Sequence, residues 1–570
     1  MNIPAEDKFS LDPKYYRTSE ERSAMVLDPA CPLSVIKIVV EYDDDDTVIL
    51  DCIHSKIADE EVFAIAARRL NKTVKELKDG RREYYKKLIA RKSFCSIPWN
   101  HAGTDASGNI RMCCQMIHEN EKAPKGIVKK DDGSTLDFND HISENRNAPA
   151  WKELRKDMLV GKKNDLCKLC WDEEDSGTGS RRIYTFDLFP DTIDKAIEKT
   201  EPDGSIKHED FPIQWWDLRF GNKCNLKCRS CGPTDSNLWY EDHIALTRSE
   251  DDPEVVMRDG EAHKIEKDAK GKWHVPILSE WFNDSTMWND LVDNLDTVDR
   301  IYFTGGEPTI NHKHQELLNI IIDKGYANKM VLDYNTNMAG TPDKLFGLWT
   351  QFKKVNLGLS IDGMYEHYEY IRHPGRWDKV ERNLRKIDTD PRLTNLSANI
   401  TLTLSVMNVF HVLDLIWWLK EQKFRRIHND IYIHNVYGPQ YYNVQNLPGG
   451  IKHDVDAHYK RFIDAISKRW GNDKCTTHDA NWAAETTRSL EATLSQMWSA
   501  EPDPSHWKHF LTLTSELDKL RKENWKKSLP ELESAMRNMH DKEKRRKRTR
   551  LAAIKKAPKT TGTTGAPKKS

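Results

Sequence analysis

The chain has 570 residues, with 88 Lys and Arg against 90 Asp and Glu, which gives a formal net charge of −2. Its longest apolar runs, such as Val412 to Leu419, are short and contain a charged residue, Asp414. Runs of this length cannot cross a bilayer, so we expect no membrane-spanning segment. The N-terminus, Met1 to Lys14, lacks the apolar core of a secretory signal, and we expect a cytoplasmic protein of one to three domains.

The chain contains 11 cysteines, and several of them are clustered. An odd number of cysteines with no sign of secretion argues against a disulfide framework. Clustered cysteines in an intracellular chain favour metal binding instead.

The first 90 residues are predicted to form a small α/β lead-in. Val35–Tyr42 and Val48–Ile53 have the pattern of a β-hairpin. Helical periodicity follows from Glu60 to Leu70 and then to about Leu88.

Residues 91–185 are rich in loops and contain five cysteines. Four thiolates are available if Cys95, Cys167 and Cys170 act together with either Cys113 or Cys114. Four thiolates bind zinc or a closed iron–sulfur cluster equally well on chemistry alone. The sequence therefore predicts a metal centre here and leaves the metal open.

Residues 211–445 alternate apolar runs with helical patterns such as 312–324 and 377–387. The predicted strands are 215–220, 300–303, 329–334, 354–361, 398–406 and 430–436. Strand–helix alternation predicts an α/β fold with a parallel sheet, either open or closed into a barrel. A long charged insertion, residues 241–300, separates the first two strands. His312 and His314, which begin the helix after the second strand, are expected at the surface.

Residues 450–540 have helical patterns throughout, so we predict a helical region. The last 30 residues, 541–570, contain 12 Lys and Arg against 2 Asp and Glu. This basic composition, followed by Lys, Thr, Gly and Pro, predicts a disordered tail.

Three cysteines, Cys224, Cys228 and Cys231, follow the predicted strand 215–220 with the spacing C-x3-C-x2-C. We call them the cysteine triad. Three thiolates can hold three irons of a four-iron cluster and leave the fourth iron open to a ligand. The alternative is a partial zinc site, but zinc takes four ligands and no nearby Cys or His completes the set.

The second predicted strand ends in the sequence Thr304–Pro308, which we call the Gly-Gly-Glu turn. Gly305 and Gly306 permit a close approach of the backbone to a ligand, and Glu307 offers a carboxylate to a cation. Such a sequence is often only a turn. Here it lies at the carboxyl end of a strand, where parallel barrels carry their active sites.

Together, the cysteine triad and the Gly-Gly-Glu turn resemble the radical S-adenosylmethionine (SAM) superfamily. The resemblance covers roughly residues 211–445 and continues through Asn335–Asn337 and Leu359–Gly363, which end the next two strands. The following stretch, Ile371–Trp377, is similar to the R-x-x-G-x-[FW] sequence of peptide-modifying members.

The resemblance implies a partial (β/α)6 TIM-like barrel, with an N-terminal cysteine-rich α+β segment and a C-terminal helical region. It implies a [4Fe–4S] cluster on the triad and an electron donor such as flavodoxin or ferredoxin. The reduced cluster would cleave SAM, and the resulting radical would abstract hydrogen from the substrate. The residues implied to contact SAM are Gly305, Gly306, Glu307, Thr336, Asn337, Ser360 and Asp362.

One position departs from the family pattern. The family usually has an aromatic residue just before the third cysteine, where this chain has Ser230. Adenine packing would then come from elsewhere, and Trp239 or Tyr240 could supply it. Asn408, just past the fifth strand, could reach the cofactor or simply cap the strand.

The cysteine-rich segment, residues 91–185, also resembles a known type of protein segment. Its patterns C-x-x-P-W, G-x-[IV]-x-x-C-C and C-x-x-C are similar to the auxiliary-cluster segment of SPASM/twitch proteins, although here they precede the barrel. The resemblance implies a second [4Fe–4S] cluster, with zinc as the alternative occupant. Between the adjacent cysteines we favour Cys114, with Cys113 packing inward. The implied ligands are Cys95, Cys114, Cys167 and Cys170.

The same resemblance favours a peptide or protein residue as the substrate. A second hypothesis is modification of RNA or DNA held by the basic sequence Lys542–Arg548. A third is a non-catalytic iron–sulfur interaction protein. The predicted divisions are a lead-in (1–90), an auxiliary-cluster segment (91–185), a radical SAM core (211–449), a helical region (450–540) and a basic tail (541–570).

Overall fold

The computed structural model describes most of the chain beyond residue 92. The described residues are 16–18, 25–27, 67, 71–76, 90, 92–116, 126–143, 145–175, 179–248, 252–258, 261–279, 281–283, 285–340, 343–436, 438–471 and 475–556. The predicted hairpin of residues 35–53 and nearly all of the helices predicted over 60–88 lie outside these residues. Two compact units divide the chain. One comprises residues 1–99, 146–168 and 181–211, and the other comprises 100–145, 169–180 and 212–570.

The strands and helices are numbered in chain order. The strands are β1 (Tyr16–Thr18), β2 (Met25–Leu27), β3 (His101–Thr104), β4 (Ile110–Arg111), β5 (Trp215–Leu218), β6 (Val255–Arg258), β7 (Glu261–Lys264), β8 (Glu266–Lys267), β9 (Trp273–His274), β10 (Arg300–Phe303), β11 (Val331–Thr336), β12 (Lys354–Ser360), β13 (Leu396–Leu404) and β14 (Ile427–Asn435). The helices from Ile97 onward are α1 (Ile97–Asn100), α2 (Pro149–Leu159), α3 (Lys168–Asp175), α4 (Arg181–Leu188), α5 (Thr192–Lys199), α6 (Tyr240–Thr247), α7 (Thr286–Asp293), α8 (His312–Asp323), α9 (Asp343–Trp349), α10 (Tyr365–Ile371), α11 (Trp377–Thr389), α12 (Val412–Gln422), α13 (Gly449–Trp470), α14 (Thr477–Trp498), α15 (Pro504–Arg521), α16 (Trp525–Ser528) and α17 (Pro530–Lys556).

The first unit is organised around two buried arginines. Arg155 of α2 donates from Nε to the Pro98 carbonyl over 2.9 Å and from Nη2 to the Arg146 carbonyl over 2.7 Å. Arg146 in turn donates to the carbonyls of Trp99 and Phe211. These bonds satisfy backbone acceptors that burial would otherwise leave unpaired. They also fix the Pro-Trp pair that follows Cys95.

The second unit contains an eight-stranded sheet in the order β14-β13-β12-β11-β10-β5-β3-β4. Six neighbouring strands, β5 and β10 to β14, are parallel. Each predicted strand of residues 211–445 overlaps one of them, so the predicted α/β fold with a parallel sheet is confirmed. Helices connect these strands because parallel neighbours need crossover connections.

Two strands of this sheet were not predicted. β3 pairs in parallel with β5, and His101 lies opposite Trp215 in the register. β4 pairs antiparallel with β3 and ends the sheet. Both strands come from the cysteine-rich segment, so residues 91–185 do not form a compact unit of their own and are divided between the two units.

The sheet buries one face and leaves the other partly exposed. Leu332, Tyr334 and Thr336 of β11 are buried, while Asp333 and Asn335 between them are partly exposed. The same alternation runs along β10, β12 and β13. Since side chains alternate across a strand, one face is apolar and lies against helices, and the other is polar.

The insertion between β5 and β10 forms two small antiparallel hairpins, β6–β7 and β8–β9. Its apolar residues pack in a cluster with neighbouring parts of the second unit. The buried members of that cluster are Ala106, Tyr240, Val256, Ile265, Val275 and Leu278.

The C-terminal region is helical, as its sequence pattern predicts. α17 continues from Pro530 to Lys556, past the boundary predicted at residue 540. Residues 541–556, which the sequence predicts to be disordered, are therefore helical in this structure. The residues of α17 are mostly good helix formers such as Glu, Lys, Arg, Met and Ala, so propensity carries the helix into the basic sequence. Within the part of the chain that the structure describes, no helix combines the length and apolarity needed to cross a bilayer.

The expected surface position of His314 is also wrong. His314 is fully buried, and its Nε2 lies 2.8 Å from the Tyr334 hydroxyl. Its ring packs edge-on against Phe303 with the ring centroids 4.6 Å apart. Burial lowers the pKa of His314 to about 3, so the imidazole is neutral at ordinary pH. The helical pattern alone did not show that α8 turns this residue toward the sheet.

Candidate functional site

The cysteine triad lies in the loop after β5, residues 219–236, which we call the cysteine loop. Burial raises the pKa of Cys224 to about 12, and the nearby Cys228 adds to this rise. A hydrogen bond between Cys228 and Cys231 lowers the pKa of the first thiol and raises that of the second. The three sulfurs therefore share one largely buried environment. Three converging thiols are a donor set suited to iron.

Side chains that follow the triad hold the loop in place. Ser236 donates to the Leu226 carbonyl over 2.6 Å. Trp239 is buried, and its Nε1 donates to the Cys228 carbonyl over 2.9 Å. Tyr240 is also buried, and its hydroxyl accepts from Asn222 Nδ2 over 2.7 Å. Both aromatic residues that could supply adenine packing therefore support this loop from outside it, and their contact with adenine stays a prediction.

The Gly-Gly-Glu turn packs directly against the cysteine loop. Gly306 has a φ of +53°, and a Cβ added there would lie 2.3 Å from the Lys223 carbonyl oxygen. The next residue, Glu307, donates from its backbone N–H to that same oxygen over 2.8 Å. Only glycine fits this approach and this backbone conformation without strain.

Glu307 is buried and joins the ends of β10 and β11. Its Oε1 accepts from the Thr309 backbone and hydroxyl over 3.1 and 2.6 Å, and from the Thr336 hydroxyl over 2.8 Å. Its Oε2 accepts from the Asn337 backbone over 2.7 Å. Burial raises the pKa of Glu307, and these donors oppose the rise. A carboxylate oxygen has two lone pairs, so Oε2 keeps one acceptor position that these bonds do not use.

Asn337 connects β11 to the cysteine loop. Its Nδ2 donates to Asn225 Oδ1 over 2.8 Å and lies 4.0 Å from the sulfur of Cys224. Its Oδ1 accepts from the Ala339 backbone over 2.8 Å. Asn337 is thus fixed beside the first cysteine of the triad.

Asp362 and Arg372 connect the end of β12 to the second cysteine. Asp362 is buried, and its Oδ2 lies 2.9 Å from Arg372 Nε. Arg372 Nη1 lies 3.8 Å from the sulfur of Cys228. Asp362 counteracts the effect of burial and raises the pKa of Arg372, so the guanidinium stays charged. Ser360 ends β12 and is partly exposed.

Asn408 acts as a cap in this structure. Its Oδ1 accepts from the Ser405 backbone over 2.8 Å. Its Nδ2 donates to the carbonyls of Asp362 and Thr403, each over 3.0 Å. These bonds engage the whole amide, which favours the capping alternative over a contact with a cofactor.

The predicted auxiliary ligands are divided between the two units. Cys95 and Cys167 belong to the first, and Cys114 and Cys170 belong to the second, as does Cys113. Burial raises the pKa of Cys95, whose sulfur lies 3.2 Å from the Thr185 hydroxyl. The ligand set and the metal it binds stay predictions.

Three other residues, His367, His411 and Glu531, bring possible metal-binding atoms within 4.8 Å of one another. The two imidazoles are stacked, with centroids 3.7 Å apart and planes 6° from parallel. A metal must lie close to the plane of each imidazole that binds it, and these parallel planes share no such point. His411 Nε2 also accepts from the Met364 backbone over 3.0 Å. In this arrangement these side chains form a contact between α10 and α17, in which His367 Nε2 lies 2.9 Å from Glu531 Oε2.

Sequence reasoning did not assign a role to Thr309 or to Arg372. Thr309 lies two residues after Glu307, and donation from a hydroxyl at that spacing is a recognisable turn pattern. Arg372 belongs to the R-x-x-G-x-[FW] stretch, but nothing in the sequence pairs it with Asp362 or Cys228.

No protein-family model matches the chain, and no curated protein matches it. Among solved structures, anSMEcpe with bound AdoMet matches at 17% identity and a TM-score of 0.28, over 45% of this chain and 59% of that one. Streptococcus suis SuiB bound to S-adenosylmethionine matches at 13% identity and a TM-score of 0.28, over 56% and 64%. The chain thus spans less than two thirds of these structures. TM-scores this low do not establish a shared fold.

Proposed function

We propose that this chain is a radical SAM enzyme. The observation that carries the proposal is the convergence of three strand ends on the cysteine triad. Asn337 after β11 lies beside Cys224, and Arg372, paired with Asp362 after β12, lies beside Cys228. Glu307 after β10 binds the backbone next to the triad. The six parallel strands would then form a partial (β/α)6 barrel.

The residues at these strand ends fit the two groups that such an enzyme needs. Cys224, Cys228 and Cys231 would hold a [4Fe–4S] cluster with one open iron. Glu307 would receive the SAM ammonium at the free position of Oε2. The cluster and SAM, when bound, supply reductive carbon–sulfur cleavage and the start of hydrogen-atom abstraction. Further contacts to SAM are proposed for Gly305, Gly306, Thr336, Asn337, Ser360 and Asp362.

The protein's own contribution is orientation and exclusion of water. Glu307 cannot rotate freely, because four hydrogen bonds fix both of its oxygens. A preorganised buried carboxylate binds a cation more strongly than a solvated one. Arg372 places a positive charge next to Cys228, which favours the thiolate form that binds iron.

We propose a peptide or protein residue as the substrate. The polar side chains on the partly exposed face of the parallel sheet support the proposal of a polar substrate. On it, Arg300 forms an ion pair with Asp333, which also accepts from Asn356 Nδ2 over 2.8 Å. Asn399 lies farther along the same face and donates to the Thr401 hydroxyl over 3.2 Å. Such donors and acceptors match the amide groups of a peptide.

A second cluster is proposed on the cysteine-rich segment. Four thiolates from Cys95, Cys114, Cys167 and Cys170 would leave no open iron. A closed cluster suits electron transfer or structural support better than substrate binding. Zinc remains the alternative occupant.

Metal analysis after anaerobic reconstitution tests the iron sites. We expect about eight irons per chain, four for each cluster. Replacing Cys224, Cys228 and Cys231 together by Ala should remove about half of the iron. If the triple variant keeps all of its iron, the triad is not a cluster site. If zinc replaces half of the iron in protein purified without oxygen, the second site is a zinc site.

Incubation with SAM and dithionite tests the reaction. We expect slow formation of 5′-deoxyadenosine and methionine without substrate, and none in the triple variant. Iron binding without any SAM cleavage would favour the non-catalytic interaction protein.

The nucleic-acid alternative rests on α17, where the side chains of Lys542 and of residues 544–548 are exposed. Deleting residues 541–570 removes a net charge of +10, from 12 Lys and Arg against 2 Asp and Glu. Binding of RNA to such a surface would weaken with salt, with a log–log slope of roughly 0.7 per phosphate contact. We expect no salt-dependent RNA binding. RNA binding that disappears with the deletion would favour this alternative.

A further inference from the structure

Arg229 lies between the second and third cysteines of the triad and is completely buried. A buried guanidinium needs partners for its charge and its donors. Its Nε donates to the Tyr370 carbonyl over 3.2 Å, and its guanidinium stacks over the Tyr370 ring at 3.7 Å from the centroid. Neither contact neutralises the charge.

Two carboxylates from the C-terminal helical region neutralise it. Arg229 Nη2 donates to Asp518 Oδ1 over 2.5 Å and to Glu523 Oε2 over 2.6 Å. The Tyr370 hydroxyl also donates to Asp518 Oδ1 over 2.9 Å. Asp518 lies in α15, and Glu523 follows the end of that helix. The cysteine loop is therefore bound to a segment almost 300 residues later in the chain.

The second carboxylate oxygen of Glu523 contacts His373, which also binds the cysteine loop. Glu523 Oε1 lies 2.7 Å from His373 Nδ1. The His373 carbonyl accepts from the Lys227 backbone over 2.7 Å, and the Ile371 carbonyl accepts from the Arg229 backbone over 2.8 Å. The residues on both sides of Cys228 therefore donate backbone hydrogen bonds to the segment 371–373, and Glu523 binds His373 of that segment.

A second buried ion pair joins α15 to the same region. Arg521 Nε donates to Asp242 Oδ2 over 2.8 Å, and Lys227 Nζ donates to Asp242 Oδ1 over 2.9 Å. The Arg521 guanidinium also lies 4.7 Å from the centroid of the Trp239 ring. Trp239 in turn donates to the Cys228 carbonyl. Asp518 and Arg521 of α15 therefore both contact residues that neighbour Cys228 or bind its backbone.

We propose that Asp518 and Glu523 are positioning residues for the cluster of the cysteine triad. The inference rests on the proposed function and deepens it, because it makes the C-terminal helical region part of the cluster site. Buried ion pairs contribute little net stability compared with apolar packing, and in some proteins their role is to select one geometry. Here the geometry they select is that of the loop that must bring three thiolates together.

We expect the protein to retain iron less well when the charge of Asp518 or Glu523 is removed. Partners that orient metal ligands typically change metal affinity by 10- to 100-fold when they are removed. Glu523→Gln keeps the size of the side chain and removes the charge that faces Arg229 and His373. Asp518→Asn is the second variant, although Asp518 Oδ2 also accepts from the Trp525 backbone over 2.7 Å. Glu516→Gln on α15 is the matched control, because Glu516 is exposed.

The test measures iron release from anaerobically reconstituted protein to a ferrous chelator, together with the EPR spectrum of the reduced cluster. The triad cluster is observed by itself in a background where Cys95, Cys114, Cys167 and Cys170 are replaced by Ser. We expect Glu523→Gln and Asp518→Asn to release iron at least about tenfold faster than Glu516→Gln. We also expect a changed EPR spectrum, which a loss of global stability alone would not produce. Glu523→Asp, which keeps the charge, should restore part of the retention.

The outcomes separate the two proposals. The parent is the folded four-serine background without any further substitution. If this parent binds no iron at the triad, the proposed function fails. If the parent binds iron while Glu523→Gln and Asp518→Asn release it at the same rate as Glu516→Gln and with the same EPR spectrum, the proposed function stands and the positioning role is wrong. If Glu523→Gln does not fold, Asp518→Asn and Glu523→Asp are compared with the control in the same two measurements.

Discussion

The hydroxyl of Thr336 donates to Oε1 of Glu307 over 2.8 Å, and both side chains are almost completely buried. This bond joins the last residue of β11 to the turn that follows β10. The Gly-Gly-Glu turn is thereby fixed to the neighbouring strand as well as to the cysteine loop.

Replacing Thr336 by Val keeps the shape of the side chain and removes this donor, together with the acceptor for the Met338 backbone over 3.2 Å. A hydrogen bond to a charged group contributes about 1.5–3 kcal/mol, so we expect the free energy of unfolding to fall by at least that amount. Urea unfolding at neutral pH measures it. Thr336→Ser keeps the hydroxyl and should lose less. Equal losses in the two variants would show that the methyl group, and not the hydrogen bond, matters.

Replacing Glu307 by Gln should weaken SAM binding. The amide removes the negative charge that would face the ammonium of SAM, and its N–H group conflicts with one of the donors from which the carboxylate now accepts. Loss of a charge-assisted hydrogen bond costs roughly 1.5–3 kcal/mol, which corresponds to about 10- to 150-fold in affinity. Equilibrium binding of SAM to reconstituted protein measures this change. Glu366→Gln is the control, because Glu366 is exposed. Unchanged affinity in Glu307→Gln would exclude Glu307 from the SAM site.

Replacing Arg372 by Met should destabilise the protein strongly. The change leaves Asp362 buried without its cation, and an unpaired buried charge costs about 3–5 kcal/mol. Arg372→Lys keeps the charge and should cost less. Urea unfolding of the metal-free protein gives both values, with the exposed Arg376→Lys as the control. A loss below 1 kcal/mol in Arg372→Met would contradict the role of this ion pair.

The reduction potential of the proposed cluster should also depend on Arg372. A positive charge near a cluster sulfur stabilises the reduced, more negative state. We therefore expect the reduction potential to fall in Arg372→Met and to change less in Arg372→Lys. An EPR-monitored redox titration measures both. A higher potential in Arg372→Met would contradict this prediction.

Because His314 is buried and neutral, we expect the free energy of unfolding to fall in mild acid. Its pKa falls from an ordinary value of 6.5 to about 3 in the folded chain. The unfolded state therefore takes up a proton below pH 6.5, while the folded state does not until about pH 3. Stability from this group is complete above pH 6.5 and is lost as the pH falls toward 3. From pH 7 to pH 5 the loss is about 2 kcal/mol.

Urea unfolding at pH 7 and pH 5 checks the prediction for His314. His314→Gln keeps an acceptor for the Tyr334 hydroxyl and should remove about 2 kcal/mol of the difference between the two pH values. His312→Gln removes an exposed histidine from the same helix and serves as the control. Equal pH dependence in the parent and in His314→Gln would show that another group is responsible.

The sequence alone predicted the parallel α/β architecture and the positions of its chemical motifs. Strand–helix alternation is a local pattern, and carboxyl ends of neighbouring parallel strands meet at one edge of the sheet. The sequence therefore predicts that the motifs after β5, β10, β11 and β12 lie together. Individual roles such as that of Glu307 depend on the resemblance and await the experiments above.

Other features were decided only by the tertiary structure. Arg229 and Asp518 are 289 residues apart, and no periodicity relates positions at that distance. The burial of His314 depends on which side of α8 faces the sheet, and the pairing of β3 with β5 depends on a segment with little strand pattern. Hydrophobic periodicity describes one element at a time, whereas buried ion pairs and sheet edges are set by packing between distant parts of the chain. That packing is what brings the C-terminal helices to the cysteine loop.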